Sequence, residues 1–500
     1  MSAKEFDLWH RPWVPVTIAS GGVAEPALLG FGELLKRAHE VTALSIGAAP
    51  AESALLRVLV ALAARVTGLD IASKGKTAWE DVQDEALAAG RFDPKAVDRY
   101  FEKYPDRWDL FHQSRPWMQD PRLATECDKT VGVGKLTIGR PAGNNHAWFG
   151  HDVDAKARPS SVTEAVASML VWLYYGASGK CAARRIGSAK VSNSLAGPLR
   201  SKLSYFPWGN NLFTTLMASI PFPQDDDGSP DLCPWEKGEL PDPAAVPVAR
   251  RGAMGRLTDR AQHAVLLKAA DGQIVDAWIT VSTKHPIVAG DDPYTIYQQS
   301  QAGNRYQRYA NSGRALWRDV DTLLTARTTG ANDASRPSVF ATATQLRGVD
   351  LRVRALGFEQ DGQAKDEQFV VGTTPVILHL ADNRDDSGIA GRIGDLRSAG
   401  EAVGARLDRA VKNAWANLVG GKPENCAWAV EAGLAYWPKA EAEFWRCVNQ
   451  REFENTFVAY LRIAAGIFDD ITGRLPSARG VKAAESARIW LYGGPRPNRR

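Results

Sequence analysis

The sequence predicts an α+β protein, with a large mixed N-terminal domain over residues 1–375 followed by a C-terminal four-helix bundle over residues 376–500. Three observations predict it. Strand-like apolar runs alternate with helical patterns through the first two-thirds of the chain, the strand signals stop after about Asp382, and four long amphipathic patterns joined by loops of a few residues follow. Short connections between long amphipathic helices imply antiparallel neighbours. Five hundred residues, 44% apolar and 24% charged, are enough to bury a large core and divide more naturally into two domains than one.

The segment Phe6 to Val16, with Trp9, Pro12, Trp13 and Pro15, reads as an extended start of the core. Ala51 to Thr67 is a mostly apolar helix, buried on most sides. Ser161-Val-Thr-Glu164 has the form of a capping box: the serine hydroxyl accepts from the backbone N–H three residues on, and the glutamate reaches back. A helix therefore starts near Val162, with Val166, Met169, Leu170, Leu173 and Tyr174 on its apolar face. Gly176-Ala177-Ser178-Gly179-Lys180 ends it, because glycines permit backbone angles that a helix does not continue. The runs His263 to Leu267 and Ile274 to Ile279 read as strands separated by an Asp271-Gly272 turn. The bundle helices fall at about Gly391 to Leu418, Cys426 to Val448, Phe453 to Thr472 and Val481 to Leu491.

Sixty-one basic against 57 acidic residues leave a net charge of +4, which says little about partners. The distribution says more. Ala165 to Gln224 contains no Asp or Glu, while Lys180, Arg184, Arg185, Lys190, Arg200 and Lys202 all fall inside it. Two accounts fit such a window: a solvated loop balanced by acids elsewhere in the fold, or a surface that meets phosphates and releases their counterions. Arg305-Tyr-Gln-Arg-Tyr309, followed by Arg314, Trp317 and Arg318, interleaves cations with aromatic rings. It fits either single-strand or groove binding, or rings packed inward with the cations outward.

The opening residues lack the basic start, apolar run and cleavage site of a secretory signal, and no stretch holds eighteen uninterrupted apolar residues. A cytoplasmic protein without membrane association is expected. The five cysteines (Cys127, Cys181, Cys233, Cys426 and Cys447) are far apart with no CxxC pair, so neither a disulfide framework nor a cysteine zinc site is expected. The phosphate-loop, dinucleotide, HExxH and GxSxG motifs are absent. Glu401, Glu431, Glu441 and Glu443 lack the Glu-x-x-His pairing of a di-iron bundle. His151-Asp152, with His146 nearby, is the one grouping that suggests metal-dependent phosphohydrolysis, and it lacks the further histidines such a centre needs. No catalytic residue, metal or cofactor is expected.

The order of elements carries a resemblance: Trp13-Val-Pro15, a Gly143-Asn-Asn-His146 loop, a helix ending in a glycine turn, a glutamine-containing hairpin and a helical bundle. Over its whole length the chain resembles the CasA family, the large subunit of type I-E CRISPR Cascade surveillance complexes. The resemblance implies a non-catalytic protein that works with crRNA, with the CasB, CasC, CasD and CasE subunits and with a CRISPR helicase-nuclease. It would recognise the protospacer-adjacent motif in double-stranded target DNA and help to open the duplex for R-loop formation. Guide pairing reads the sequence, and the protein reads only the flank.

The family's glycine-rich loop falls here on Gly176, Ala177, Ser178 and Gly179, leading into Lys180, Arg184 and Arg185. Its lysine finger falls on Lys284, with Lys268 as the alternative. Its wedge hairpin falls on Gly357 to Lys365, where Gln363 and Ala364 would push between base pairs. The loop that meets the crRNA end, neighbouring subunits and the flank falls on Asn144, Asn145, His146, Trp148 and Phe149. The zinc knuckle of some relatives is reduced to Cys233. Two readings remain beside this one: a metal-dependent phosphohydrolase centred on His146, His151 and Asp152, and an RNA-only scaffold protein.

Overall fold

In the computed structural model the chain is described over residues 5–71, 75–140, 157–223, 230–288, 290–300, 302–325, 327–328, 334–346, 348–360, 366–381, 388–474 and 477–494. Val14, Val16 and Ile18 alternate inward along β1 (Val14–Ser20), which pairs antiparallel with β2 (Val23–Leu29) and β3 (Val41–Leu44). The strand begins only at Val14; the residues before it turn, with the Asp7 carboxylate accepting the Trp9 N–H at 2.7 Å. Helix α1 (Ala49–Thr67) is buried along all of Ala49 to Ala64, as its apolar composition predicts. Its one buried cation, Arg57, is satisfied inside by Ser53, Ser204 and Asp292, and Asp292 also takes Arg260 at 2.5 Å.

Helix α2 (Val162–Tyr175) starts where the capping pattern places it, with the Ser161 hydroxyl accepting the Glu164 N–H at 3.2 Å. The reciprocal half of the box goes elsewhere: the Glu164 carboxylate pairs with Arg140 at 2.8 Å. Two hairpins follow in chain order, β4 (Gly179–Ile186) with β5 (Ala189–Ser194), and β7 (His263–Ala270) with β8 (Gln273–Val281); between them lies strand β6 (Leu203–Trp208). The β7–β8 connection is the expected two-residue turn, with Asp271 at φ 52° and Gly272 at φ 77°. Strand β9 (Arg352–Gln360) lies between β6 and β10 (Asp366–Thr373), antiparallel to both, and packs on α1.

The chain forms two compact units, one of Met1–Ser312 with Ala331–His379 and one of Gly313–Gly330 with Leu380–Arg500. The second therefore takes a segment from the middle of the chain, which a single cut at residue 375 does not. Its long helices are α3 (Ile389–Val419), α4 (Trp428–Gln450), α5 (Thr456–Thr472) and α6 (Ala478–Arg488). Ile393, Leu396, Gly400, Val403, Leu407, Val411 and Ala414 form the buried stripe of α3, and α4, α5 and α6 all pack against it. Trp317, from the inserted segment, is fully buried against Phe444 and Trp437. Among the described residues no helix is long and apolar enough to cross a membrane.

Candidate nucleic-acid interface

The turn after α2 is set by packing more than by backbone freedom. Gly176 has φ −53° and ψ 144°, angles open to most residues, which corrects the expectation that it is needed for its conformation. What excludes a side chain is space: a Cβ there would lie 2.6 Å from His263 Cε1 and 2.6 Å from the Trp172 carbonyl oxygen. Only Gly179, at φ 111°, is in the left-handed region that favours glycine. Gly176 is buried, Ala177 and Ser178 are half-buried, and Gly179 and Lys180 are exposed.

His263, the first residue of β7, clamps this turn. Its Nε2 lies 3.0 Å from the Ala177 carbonyl oxygen, and burial pushes the imidazole down to about 4. The ring is therefore neutral at physiological pH and donates from Nε2. In addition, Gly197 N–H donates to the Gly176 carbonyl at 2.8 Å, and Leu199 N–H to that of Tyr174 at 2.8 Å.

The root of the β9–β10 hairpin abuts the same turn. The Tyr175 carbonyl accepts from Arg200 Nη1 at 3.2 Å and from Gln360 Nε2 at 3.5 Å. Both donors also hold Asp366, at 3.1 and 2.6 Å, and Ser201 binds Gln360 through its backbone N–H and its hydroxyl. Gln360 and Asp366 pair across the hairpin immediately before its tip. Gln363 and Ala364, between these two in the sequence, are outside the described residues, and so are Asn144, Asn145, His146, Trp148, Phe149, His151 and Asp152. Gly357 in β9 fits because a Cβ there would come within 2.8 Å of Leu203 Cδ1.

The third element enters through the end of β8. His263 pairs with Val281 across the β7–β8 hairpin, and Ser282 N–H donates to the Gln262 carbonyl at 2.9 Å. Exposed Lys284 follows two residues later, its N–H held by the Pro243 carbonyl at 3.0 Å. Lys268, the alternative finger, is exposed in mid-strand on β7, opposite Asp276.

Arg184 requires a correction. Expected on a DNA-facing surface, it is 0% exposed. Its guanidinium pairs with Asp120 at 2.7 Å and Glu126 at 2.6 Å, and donates to the Val281 and Ser282 carbonyls at 3.2 and 3.1 Å. Burial raises the Asp120 carboxyl, but the Arg122 and Arg184 guanidiniums more than offset this and hold it below the usual carboxylate range. Arg184 thus braces the strand end that leads to Lys284. Arg200, only 7% exposed, is likewise interior. Arg185 and Lys190 do lie outside, both bonded to Asp128 at 2.7 Å, and they hold that carboxyl down at about 2. Lys180, Arg185, Lys190, Lys284 and the alternative finger Lys268 are the exposed cations among the expected DNA-binding ones.

Three segments far apart in the chain therefore meet around Tyr175, Gly176 and His263. Sequence reasoning missed Gln360, Arg200 and His263 as the clamps. For Gln360 and His263 the only local signal is polarity at a position that strand alternation turns inward, and Arg200, in the turn before β6, carries none. Among the described residues no group of three or more His, Cys, Asp or Glu could hold a metal ion.

Comparison with known proteins adds a family. The family described as CRISPR-associated protein Cse1 matches residues 7–465. The CRISPR-associated protein CasA/Cse1 of Thermus thermophilus is 28% identical over 326 residues, or 65% of this chain. That match spans 61% of the relative's own length. A chain of a solved structure described as a CRISPR RNA-guided surveillance complex is 38% identical and superposes with a TM-score of 0.89, covering 98% of this chain and 100% of that one. Thermobifida fusca Cse1, at 18% identity and a TM-score of 0.77 over 97% of both chains, is similar in fold.

Proposed function

Because the chain belongs to the CRISPR-associated protein Cse1 family, we propose that it is the large, non-catalytic subunit of a crRNA-guided surveillance complex, where it reads the duplex flanking the target and helps to open it. The single observation that carries this reading is the convergence of the Gly176–Gly179 turn, the root of the Gln363 hairpin and the strand end before Lys284. Three elements held on one scaffold can engage one stretch of duplex together, whereas three scattered loops cannot.

In this reading the turn approaches the minor groove, where the donor and acceptor code is degenerate and several flanking motifs are tolerated. Gly179 and Ser178 present backbone close to base edges, with Lys180 and Lys284 on the phosphates. Gln363 and Ala364 insert at the first base pair and offset part of the unstacking cost with hydrogen bonds to the exposed edges. The rigid root at Gln360, Asp366 and Ser201 supplies the stiffness a wedge needs. Asn144, Asn145, His146, Trp148 and Phe149 belong to the loop assigned to the crRNA end and neighbouring subunits. The protein acts in the cytoplasm and helps to recruit the helicase-nuclease once the target strand is paired.

Gln363→Ala in the assembled complex tests the wedge. Flank-duplex binding should persist within a few-fold, while opening, read as permanganate reactivity of thymines beside the flank, should fall at least about tenfold, roughly what removing one wedge side chain is worth. Opening equal to wild type would remove Gln363 from this role.

A further inference from the structure

The aromatic and basic run at Arg305–Tyr309 is not used by the three flank-reading elements, yet its end is tied to the root of the wedge hairpin. Lys202 and Tyr309 form an antiparallel bridge, Leu203 N–H donates to the Arg308 carbonyl at 3.2 Å, and Ala310 N–H donates to the Ser201 carbonyl at 2.9 Å. Ser201 in turn holds Gln360, the last described residue before the hairpin tip. Tyr309 is therefore one strand pairing and one side-chain clamp away from the wedge.

Its side chain is unlike the other aromatics of this unit that pack inward. Tyr309 is 55% exposed, while its ring is fixed by Lys202 Nζ, 3.7 Å from the centroid, and by Tyr306, stacked at 27° with centroids 6.2 Å apart. The neighbouring charges are already engaged, which leaves Lys202 as the cation at the ring. Arg305, beside it in the same run, lies 3.9 Å over the Tyr297 ring and is paired with Asp291. The near carboxylate, Glu359, is engaged by the Ser312 N–H at 2.9 Å. The exposed part of this ring offers an unpaired base a π surface to stack on, and the Lys202 ammonium offers the adjoining phosphate a cation.

We propose that Tyr309, backed by Lys202 and Tyr306, is a stacking platform that takes an unpaired base of the strand released at the wedge. The proposal rests on the duplex-opening reading and adds a site to it: the wedge separates the first pair, and the platform keeps a released base from restacking.

The test uses assembled complex and duplex targets with 2-aminopurine at the first positions beyond the flank, one label per strand, with permanganate reactivity measured in parallel. Wild-type complex should open the duplex and quench one of the two labels. Tyr309→Ala should keep flank-duplex affinity but lose most of that quench, with about tenfold weaker retention of the opened form, as expected when one base no longer stacks on a ring. Tyr309→Trp should restore both. Undiminished quenching and opening in Tyr309→Ala overturns the platform and leaves the wedge reading standing. A wild-type complex that opens no duplex overturns the wedge reading, and the platform with it.

Discussion

At the scale of single residues, the cations of the acid-free window divide into two kinds that the sequence does not distinguish. Arg184 is 0% exposed between Asp120 and Glu126, whereas Arg185, one residue on, is exposed at the rim with Asp128. Strand alternation sends the two to opposite faces. Removing the buried one takes a cation from Glu126, leaves Asp120 with Arg122 alone and removes the side-chain donor to the Val281 and Ser282 carbonyls. Arg184→Met should therefore cost about 3 kcal/mol in urea denaturation, the low end for a broken buried pair because Asp120 and Glu126 keep some solvent access. Arg185→Met should leave the urea midpoint where it is and weaken duplex binding instead. Equal destabilisation by the two substitutions would contradict this division.

At the scale of elements, the helix end and the hairpins were legible because their signals are local. The Ser161 cap, the Asp271-Gly272 turn and the apolar stripes of α3 to α6 depend on spacings of one to four residues, and the helix bounds agree with the pattern to within a few residues. The reason for Gly176 was not legible, because the ring that excludes a side chain belongs to His263, far along the chain. Gly176→Ala should destabilise the protein by about 1–3 kcal/mol, as overpacking does. In a His263→Ala background the cost should shrink by at least about 1 kcal/mol in a double-mutant cycle, because the ring has gone and only the Trp172 carbonyl contact remains. Additive costs would show that the ring is not what the glycine makes room for.

At the scale of the whole molecule, a net charge of +4 is too small to drive non-specific DNA binding by itself, so the placement of exposed cations must do it. Lys180, Arg185 and Lys190 are all exposed on the β4–β5 hairpin that leads out of the glycine turn. Reversing all three to Glu should lower the slope of log affinity against log salt by about 2 to 3, close to one unit for each phosphate no longer neutralised. An unchanged slope would return the hairpin to the status of a solvated surface. Arg184 is omitted because its substitution would report on folding.

The sequence by itself determined the class of the fold, the run of helices in the last quarter, the helix that ends at Tyr175 and the family it resembles. Each rests on short-range periodicity or on the order of elements along the chain. Only the tertiary structure decided that Arg184 and Arg200 are internal braces, that residues 313–330 belong with the bundle, and that Gln360 and His263 hold the carbonyls of Tyr175 and Ala177 at the glycine turn. Burial and pairing are set by residues far away in the chain, whose approach depends on how the elements pack, and no local spacing encodes that.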